Sequence, residues 1–458
     1  MQDSESTYEA ETRRRAVTPI RLCAKLNLIT LVPPIAAAAG ASLLPHDAHA
    51  AKLPVDETNA RREMGVKQAT GPLAGIKVID ITTVVLGPYA SQVLGDMGAD
   101  VIKVETTAGD TTRHIGPSRT KGMGSYFAAL NRNKRSLAID LKKPAAMRAL
   151  LRLIDDADVF VHNMRIGAAK RLGLDYESLA KRNPRLVYAC ASGFREGSSL
   201  QEFPAYDDLI QGLSGIASLN AGPDGAPRYF PMVMVDKLTG ANLASMIGMA
   251  LFHRERTGEG QAVHVPMLET ILSFALIEHM WHGLYGEPEK GVGYPRVLSP
   301  HRRPYQTKDG FISVIAVSDA QWKKLFEAMG VPHLIDDARF STMQARTTHV
   351  DALYATLTEG MKHRTTAEWI AELQPADIPC GRAGTLADLF DDPYLKETGF
   401  FQEVDHPVEG KTLTTAVPAR FSKSPPNTTR LWPTLGQHNW EILREAGCSD
   451  VETDAILS

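Results

Sequence analysis

The sequence predicts an α/β protein with an open, Rossmann-like, mostly parallel sheet, followed by a second, smaller α/β domain. Three observations carry that expectation. From residue 76 onward, short apolar runs rich in β-formers alternate with helical segments, the pattern of a parallel sheet covered by helices on its faces. A Gly- and Pro-containing stretch, GEPEKGVGYPRVLSPHRRP, interrupts that rhythm after residue 285, and the alternation restarts beyond it. Finally, 458 residues with 43% apolar content are enough to bury a large core and to form two or three domains.

The elements follow in order. KVIDITT reads as the first strand, GPYASQVLGDMG as the helix after it and DVIKVE as the second strand. SLAIDL is the third, followed by the amphipathic helix AAMRALLRLIDDA. VFVHNM, two short helical pieces, LVYACAS and the helical YDDLIQGLSGIASL complete the first half. LETILSFALIEHMWHGLY predicts a helix over about 268–285. The second unit opens at YQTKDGFISVIAV, where Asp309-Gly310 suits a hairpin turn, and continues as DAQWKKLFEAMG, VDALYATLTEGMKH and TAEWIAELQ. The division expected is an extension at 1–70, a large domain at 71–285, a linker at 286–300, a small α/β domain at 301–395, a second linker at 396–430 and a C-terminal helix within 431–458. Ligands of such sheets bind at the strand ends, so the loops after ITT, VHN and ASGF are the first candidates.

Composition excludes several function classes. A net charge of −3 supplies no general basic surface, which counts against nucleic acid as a partner. Cys23, Cys190, Cys380 and Cys448 are far apart and form no CxxC pair, so neither a metal site nor a disulfide framework is signalled. Cys190 reads as a small core residue, and His162 and His264 as structural histidines in strand-like runs. There is no GxxxxGK[ST] loop, HExxH or GxSxG elbow, and no GxGxxG between Gly71 and Gly98.

Residues 1–70 imitate an export signal: Arg13 to Arg15 precede LNLITLVPPIAAAAGASLL and Ala48-His49-Ala50. Four acidic residues before the arginines and Pro33-Pro34 within the apolar run oppose that reading, and no membrane span is expected. An unstructured or mis-started extension on a cytoplasmic protein is the leading expectation. A twin-arginine-like signal is the alternative.

Asp236 is the sharpest chemical candidate. In PMVMVDKLTGANLASM it stands between an apolar run and a helical pattern, where a carboxylate is poorly solvated and near a helix N-terminus. Taken alone, the segment is more readily that of a plain N-cap.

Its company changes the balance. GPLAGIKVIDITTVVLGPYASQVLGDMGADVIKVE, NRNKRSLAIDLKKP, DVFVHNMRIGAAKRLGLDYESLAKRNPRLVYACASGF, PAYDDLIQGLSG, RTGEGQAVHV and PTLGQHNWEILREAG resemble, in order and spacing, blocks of the class III (CaiB/BaiF) CoA-transferase family. The resemblance spans roughly residues 72 to 450 and places Asp236 at the position of the family's catalytic aspartate. It implies an acyl-CoA and a small carboxylic acid as substrates, with no separate cofactor. It further implies a tail returning to the first domain and a homodimer of interlocked rings. Val84 and Val85 would lie along the CoA path, Asn163, Met164 and Arg171 in a second CoA-contacting loop, Arg171 would be the phosphate partner, and Tyr206 would pack against the CoA. Lys134 and Arg135, in NRNKRS, read as a solvated turn.

A carboxylate can carry an acyl group as an anhydride and then CoA as a thioester. With an ordinary pKa of about 3.9 it needs no general base. Oxyanion donors are sought in the Gly212 to Gly215 turn and the Lys237 to Gly240 loop. Tyr206 stands where the family's racemase branch has a His, and a phenol of pKa about 10 is poorly matched to α-proton removal. Transfer is therefore favoured over the alternative, an α-methylacyl-CoA racemase. Val85 stands where formyl-CoA transferases often carry Gln, and no clear glycine-rich loop follows, which counts against oxalate or formate.

Overall fold

The computed structural model describes residues 69–222 and 224–458, and the expectations for residues 1–68 lie outside the described residues. Six strands form one sheet: β1 (Lys77–Asp80), β2 (Asp100–Glu105), β3 (Lys134–Ala138), β4 (Val159–His162), β5 (Val187–Ser192) and β6 (Gln261–Pro266). Their order is β3-β2-β1-β4-β5-β6, and every neighbouring pair is parallel.

Helices cover both faces, so the inner strands read as nearly continuous apolar runs. The period of two sends alternate residues to opposite sides. Val78, Val101 and Val159 pack with Leu86 and Leu94 of helix Leu86–Asp96 and with Leu243 and Ile247 of helix Met234–Thr257. Their neighbours Ile79, Ile102 and Phe160 pack with Leu150 and Leu153 of helix Pro144–Asp155 and with Ile442, Leu443 and Ile456 of the C-terminal helices. The C-terminal tail thus completes the core of the large domain. It also covers the edge strand: the N–H of Ser136 donates to Nδ1 of His438 (3.1 Å) and that of Ala138 to Oδ1 of Asn439 (2.8 Å).

Three sequence expectations are corrected. Lys134 and Arg135 are no solvated turn: they open β3, and both are buried. The Lys134 ammonium donates to the Pro88 carbonyl (2.8 Å) and to Oδ1 of Asn131 (2.9 Å), while Arg135 pairs with Asp100, Glu441 and Glu445. The run was misread because charged residues this deeply buried are rare unless paired, and the carboxylates that pair with them, Asp80, Asp100, Glu441 and Glu445, are distant in sequence. The second correction is to the 396–430 linker, which contains an antiparallel hairpin of β10 (Phe401–His406) and β11 (Gly410–Thr415). Arg132 holds it to the large domain, donating to the Thr415 carbonyl at 2.7 Å while pairing with Asp96. Third, the 286–300 linker includes a short helix, Pro295–Leu298.

The smaller unit has its own core around Leu325, Phe326, Leu353 and Trp369. Its sheet is antiparallel, formed by β7 (Tyr305–Gln306), β8 (Phe311–Val314) and β9 (Cys380–Arg382), and the Thr307 N–H closes the first hairpin on the Gly310 carbonyl (2.9 Å). No helix among the described residues is long and apolar enough to cross a membrane.

Candidate active site

The strand order reverses between β1 and β4, and a crevice opens at that switch point, beyond the carboxyl ends of the strands. All three loops singled out from the sequence meet there: Thr83, Val84 and Val85 after β1, Asn163 after β4, and Ser192 and Gly193 at the end of β5. Tyr206, Arg165 and Asp236 complete the lining with Phe203 and Met267.

Asp236 is the third residue of helix Met234–Thr257, inside its first turn. The helix is brought close by a glycine. A Cβ at Gly240 would lie 2.4 Å from the Leu86 carbonyl oxygen, so only glycine lets this helix press against the start of helix Leu86–Asp96. One turn upstream, that approach delivers the Asp236 carboxylate to the loop after β1. Lys237 to Gly240, expected as an oxyanion loop, lies in this helix, where the N–H groups after the first turn are spent on helical bonds. Gly212 and Gly215 line a different depression.

Asp236 is only 9% exposed. Burial first, and the nearby Asp207 second, push its carboxyl up to about 7. No cation offsets either effect. Full ionisation at neutral pH, expected from an ordinary aspartate, is therefore replaced by a group poised near neutrality. Asp207 accepts the Asp236 N–H on Oδ2 (3.0 Å), while its Oδ1 accepts from Gln211. Gln211 in turn accepts the Phe230 N–H (2.9 Å), tying the segment before Asp236 to helix Asp207–Leu213. Tyr126 stands close enough that both carboxylates add to the effect of burial in raising its phenol.

The loop after β1 is held from two sides. The side chain of Asn163 pairs with Thr83, its Oδ1 accepting the Thr83 N–H (3.0 Å) and its Nδ2 donating to the Thr83 carbonyl (2.9 Å). Beneath, the buried Lys103 ammonium donates to the Thr82 carbonyl (3.0 Å) and to Asp110 (3.1 Å), and the Val84 N–H donates to Asp110 Oδ2 (3.2 Å). Val84 has φ of +70°, a left-handed conformation that a β-branched residue adopts only under constraint. Burial opposes the charge on Asp110, but Lys103 and the bonds from Thr112 outweigh it and lower that carboxyl.

Of the residues carried over by resemblance, Asp236, Val84, Val85, Asn163 and Tyr206 line one cleft. Met164 and Arg171 do not. Met164 packs against the core under the sheet, and Arg171 ends helix Ile166–Arg171 exposed to solvent. The cation at the cleft is Arg165, directly after Asn163-Met164. Tyr206 is 68% exposed and stands at the N-cap position of helix Asp207–Leu213 without a side-chain bond to it. Both histidines are engaged in bonds to neighbouring strands. His162, pushed down to about 4 chiefly by burial, bonds the Tyr188 hydroxyl at 2.6 Å, and His264 bonds the Ser192 hydroxyl at 2.7 Å. Cys190 is buried, its thiol pushed up to about 12.

Sequence reasoning missed Asp207 as a partner, Tyr126, Arg165 and the Lys103–Asp110 pair. The signals were faint: Asp207 adjoins Tyr206, and Gly109-Asp110 follows a strand end.

The profile of CoA-transferase family III matches residues 73–439. The succinate–glutarate CoA-transferase of Agrobacterium fabrum is 34% identical over 387 residues, covering 82% of this chain and 95% of that protein. The formyl-CoA:oxalate CoA-transferase of Shigella sonnei is 31% identical over 409 residues, with 84% and 98% covered. The crystal structure of a CaiB/BaiF family protein from Brucella suis aligns with a TM-score of 0.70 at 33% identity, covering 82% of this chain and all of that one.

Proposed function

The chain belongs to CoA-transferase family III, and we propose that it moves CoA from an acyl-CoA donor to a small carboxylic acid through a covalent intermediate on Asp236. The observation that carries this reading is the buried Asp236 carboxylate at the switch-point cleft.

The steps balance without metal, water or redox chemistry. An Asp236 carboxylate oxygen attacks the thioester carbonyl, a C–O bond forms, the C–S bond breaks, and CoA leaves as thiolate. The thiolate then attacks the Asp236 carbonyl of the mixed anhydride and expels the donor acid. The acceptor carboxylate repeats the sequence in reverse: it attacks the aspartyl thioester, and the released thiolate takes the acceptor's acyl group and restores Asp236. The half-buried Val233 and Met234 and the buried Val235 limit water at the anhydride. Arg165 replaces Arg171 as the cation offered to the CoA phosphates, and Val84 and Val85 supply the wall along which the thioester lies.

The relatives act, by their names, on succinate, glutarate and oxalate, and we take the acceptor here to be a short aliphatic dicarboxylate. A homodimer fits the exposure of Phe274 and Ile277 (56% and 79%) on helix Met267–His279, apolar surface that a second copy would cover. The cytoplasm, where acyl-CoA is available, is the proposed location.

The test is peptide mass spectrometry after incubation with a panel of acyl-CoAs, with Asp236→Ala as control. An acyl or CoA adduct on Asp236 that the control lacks is expected. Exchange of the α-proton in deuterated water without any adduct would move the function to the racemase branch.

A further inference from the structure

The smaller unit carries a second polar pocket that shares no lining residue with the Asp236 cleft. Three guanidiniums border it, those of Arg296, Arg302 and Arg303, and no acidic side chain lines it. Among the described residues none of the three is paired with a carboxylate. Arg302 and Arg303 are exposed, whereas Arg296 is half-buried and fixed by donating from Nε to the Tyr354 hydroxyl at 2.8 Å.

Like charges gathered around a concavity repel one another unless an anion joins them, and guanidiniums offer planar pairs of donors matched to carboxylates. The rest of the lining is apolar where it is deepest: Val314, Ala316, Trp322 and Leu357 are all buried. Such a pocket suits an anion with more than one charge and a short hydrocarbon body. A bare phosphate would leave the apolar floor unused, and a monocarboxylate would leave two of the three guanidiniums uncompensated where a dicarboxylate leaves one.

We propose that this pocket binds a short aliphatic dicarboxylic acid, its carboxylates held by Arg296, Arg302 and Arg303 and its methylenes lying on the Val314–Trp322 floor. The choice of a dicarboxylate rests on the acceptor class proposed above, while binding itself does not require Asp236.

Equilibrium binding of glutarate to the full chain tests this, using Asp236→Asn to remove turnover and Arg302→Gln/Arg303→Gln to remove charge at exposed positions, with butyrate and CoA as comparison ligands. Glutarate should bind Asp236→Asn as it binds the wild type, bind the double Gln variant at least about tenfold more weakly, and outcompete butyrate. Equal glutarate affinity in the double variant overturns the proposal, as does a loss confined to CoA. Circular dichroism and the melting temperature of the double variant separate lost binding from lost folding. Adduct formation at Asp236 from acyl-CoA alone needs no acid, so failure of that experiment and failure of this one are distinguishable.

Discussion

Asp207 accepts the backbone N–H of Asp236 at 3.0 Å, so two buried carboxylates share one corner of the cleft. Burial and this neighbour together raise Asp236 to about 7, and only its ionised form is a nucleophile. The rate of adduct formation should therefore rise with pH through a midpoint near 7. Asp207→Asn keeps an acceptor for the N–H but removes the charge, and should move the midpoint toward acid. A pH profile of single-turnover acylation reads both; an unchanged midpoint in Asp207→Asn would show that Asp207 exerts no charge effect.

The same group makes a prediction for stability. Between about pH 4 and 7 the folded chain keeps the Asp236 proton while the unfolded chain has lost it, so this carboxyl's contribution to stability falls as pH rises through that window and is constant above it. At 1.36 kcal/mol per pKa unit the loss is at most about 4 kcal/mol. Asp236→Asn should thus be inactive yet melt higher than the wild type at pH 8, with the difference less than half as large at pH 5 and vanishing below about pH 4. Equal melting temperatures at both values would argue that the carboxylate is better solvated than its burial indicates.

Gly240→Ala should reverse the ordinary sign of its substitution. In an exposed helix interior, Ala gains about 1 kcal/mol over Gly. Here the new Cβ meets the Leu86 carbonyl, and overpacking should cost about 1–3 kcal/mol while shifting Asp236 away from the β1 loop. Urea denaturation and the acylation rate should fall together.

Asp110 and Val84 form a coupled pair. Asp110→Ala removes the carboxylate bonded to the Lys103 ammonium and to the Val84 N–H, while Asp80 and Glu105 still offset that buried charge, and should cost about 1.5–3 kcal/mol. Val84→Gly should be tolerated within about 1 kcal/mol, because relief of the left-handed conformation offsets the lost side chain. Denaturant titrations of the two variants distinguish the outcomes, and a large loss in Val84→Gly would mean that side-chain packing, not the loop conformation, matters.

Arg165→Ala should raise the KM for acyl-CoA roughly five- to tenfold with a smaller change in kcat, and Arg171→Ala should leave both near wild type. The opposite pattern would restore Arg171 as the phosphate partner.

Much of the large domain was legible because strand and helix periodicity are local properties, and a parallel sheet buried on both faces leaves uninterrupted apolar runs such as VFV and VYACA. The hairpin at 401–415 was missed for the complementary reason. Its strands are largely exposed and polar, and their anchors Arg119 and Arg132 lie nearly three hundred residues away in sequence. Lys134 was misread because paired and solvated lysines look alike until the partner is placed beside them.

By itself the sequence determined the α/β class, the strand-end loops as the ligand side, and Asp236, with its family, as the group to watch. Only the tertiary structure decided that Asp207 faces Asp236, that Asp110 and Lys103 hold Val84, that Arg165 rather than Arg171 reaches the cleft, and that three arginines surround a pocket without an acid. Periodicity and local flanks are written along the chain. Electrostatic environment depends on which side chains meet across it, and a carboxyl's pKa near 7 exists only once water has been removed and a second carboxylate brought close.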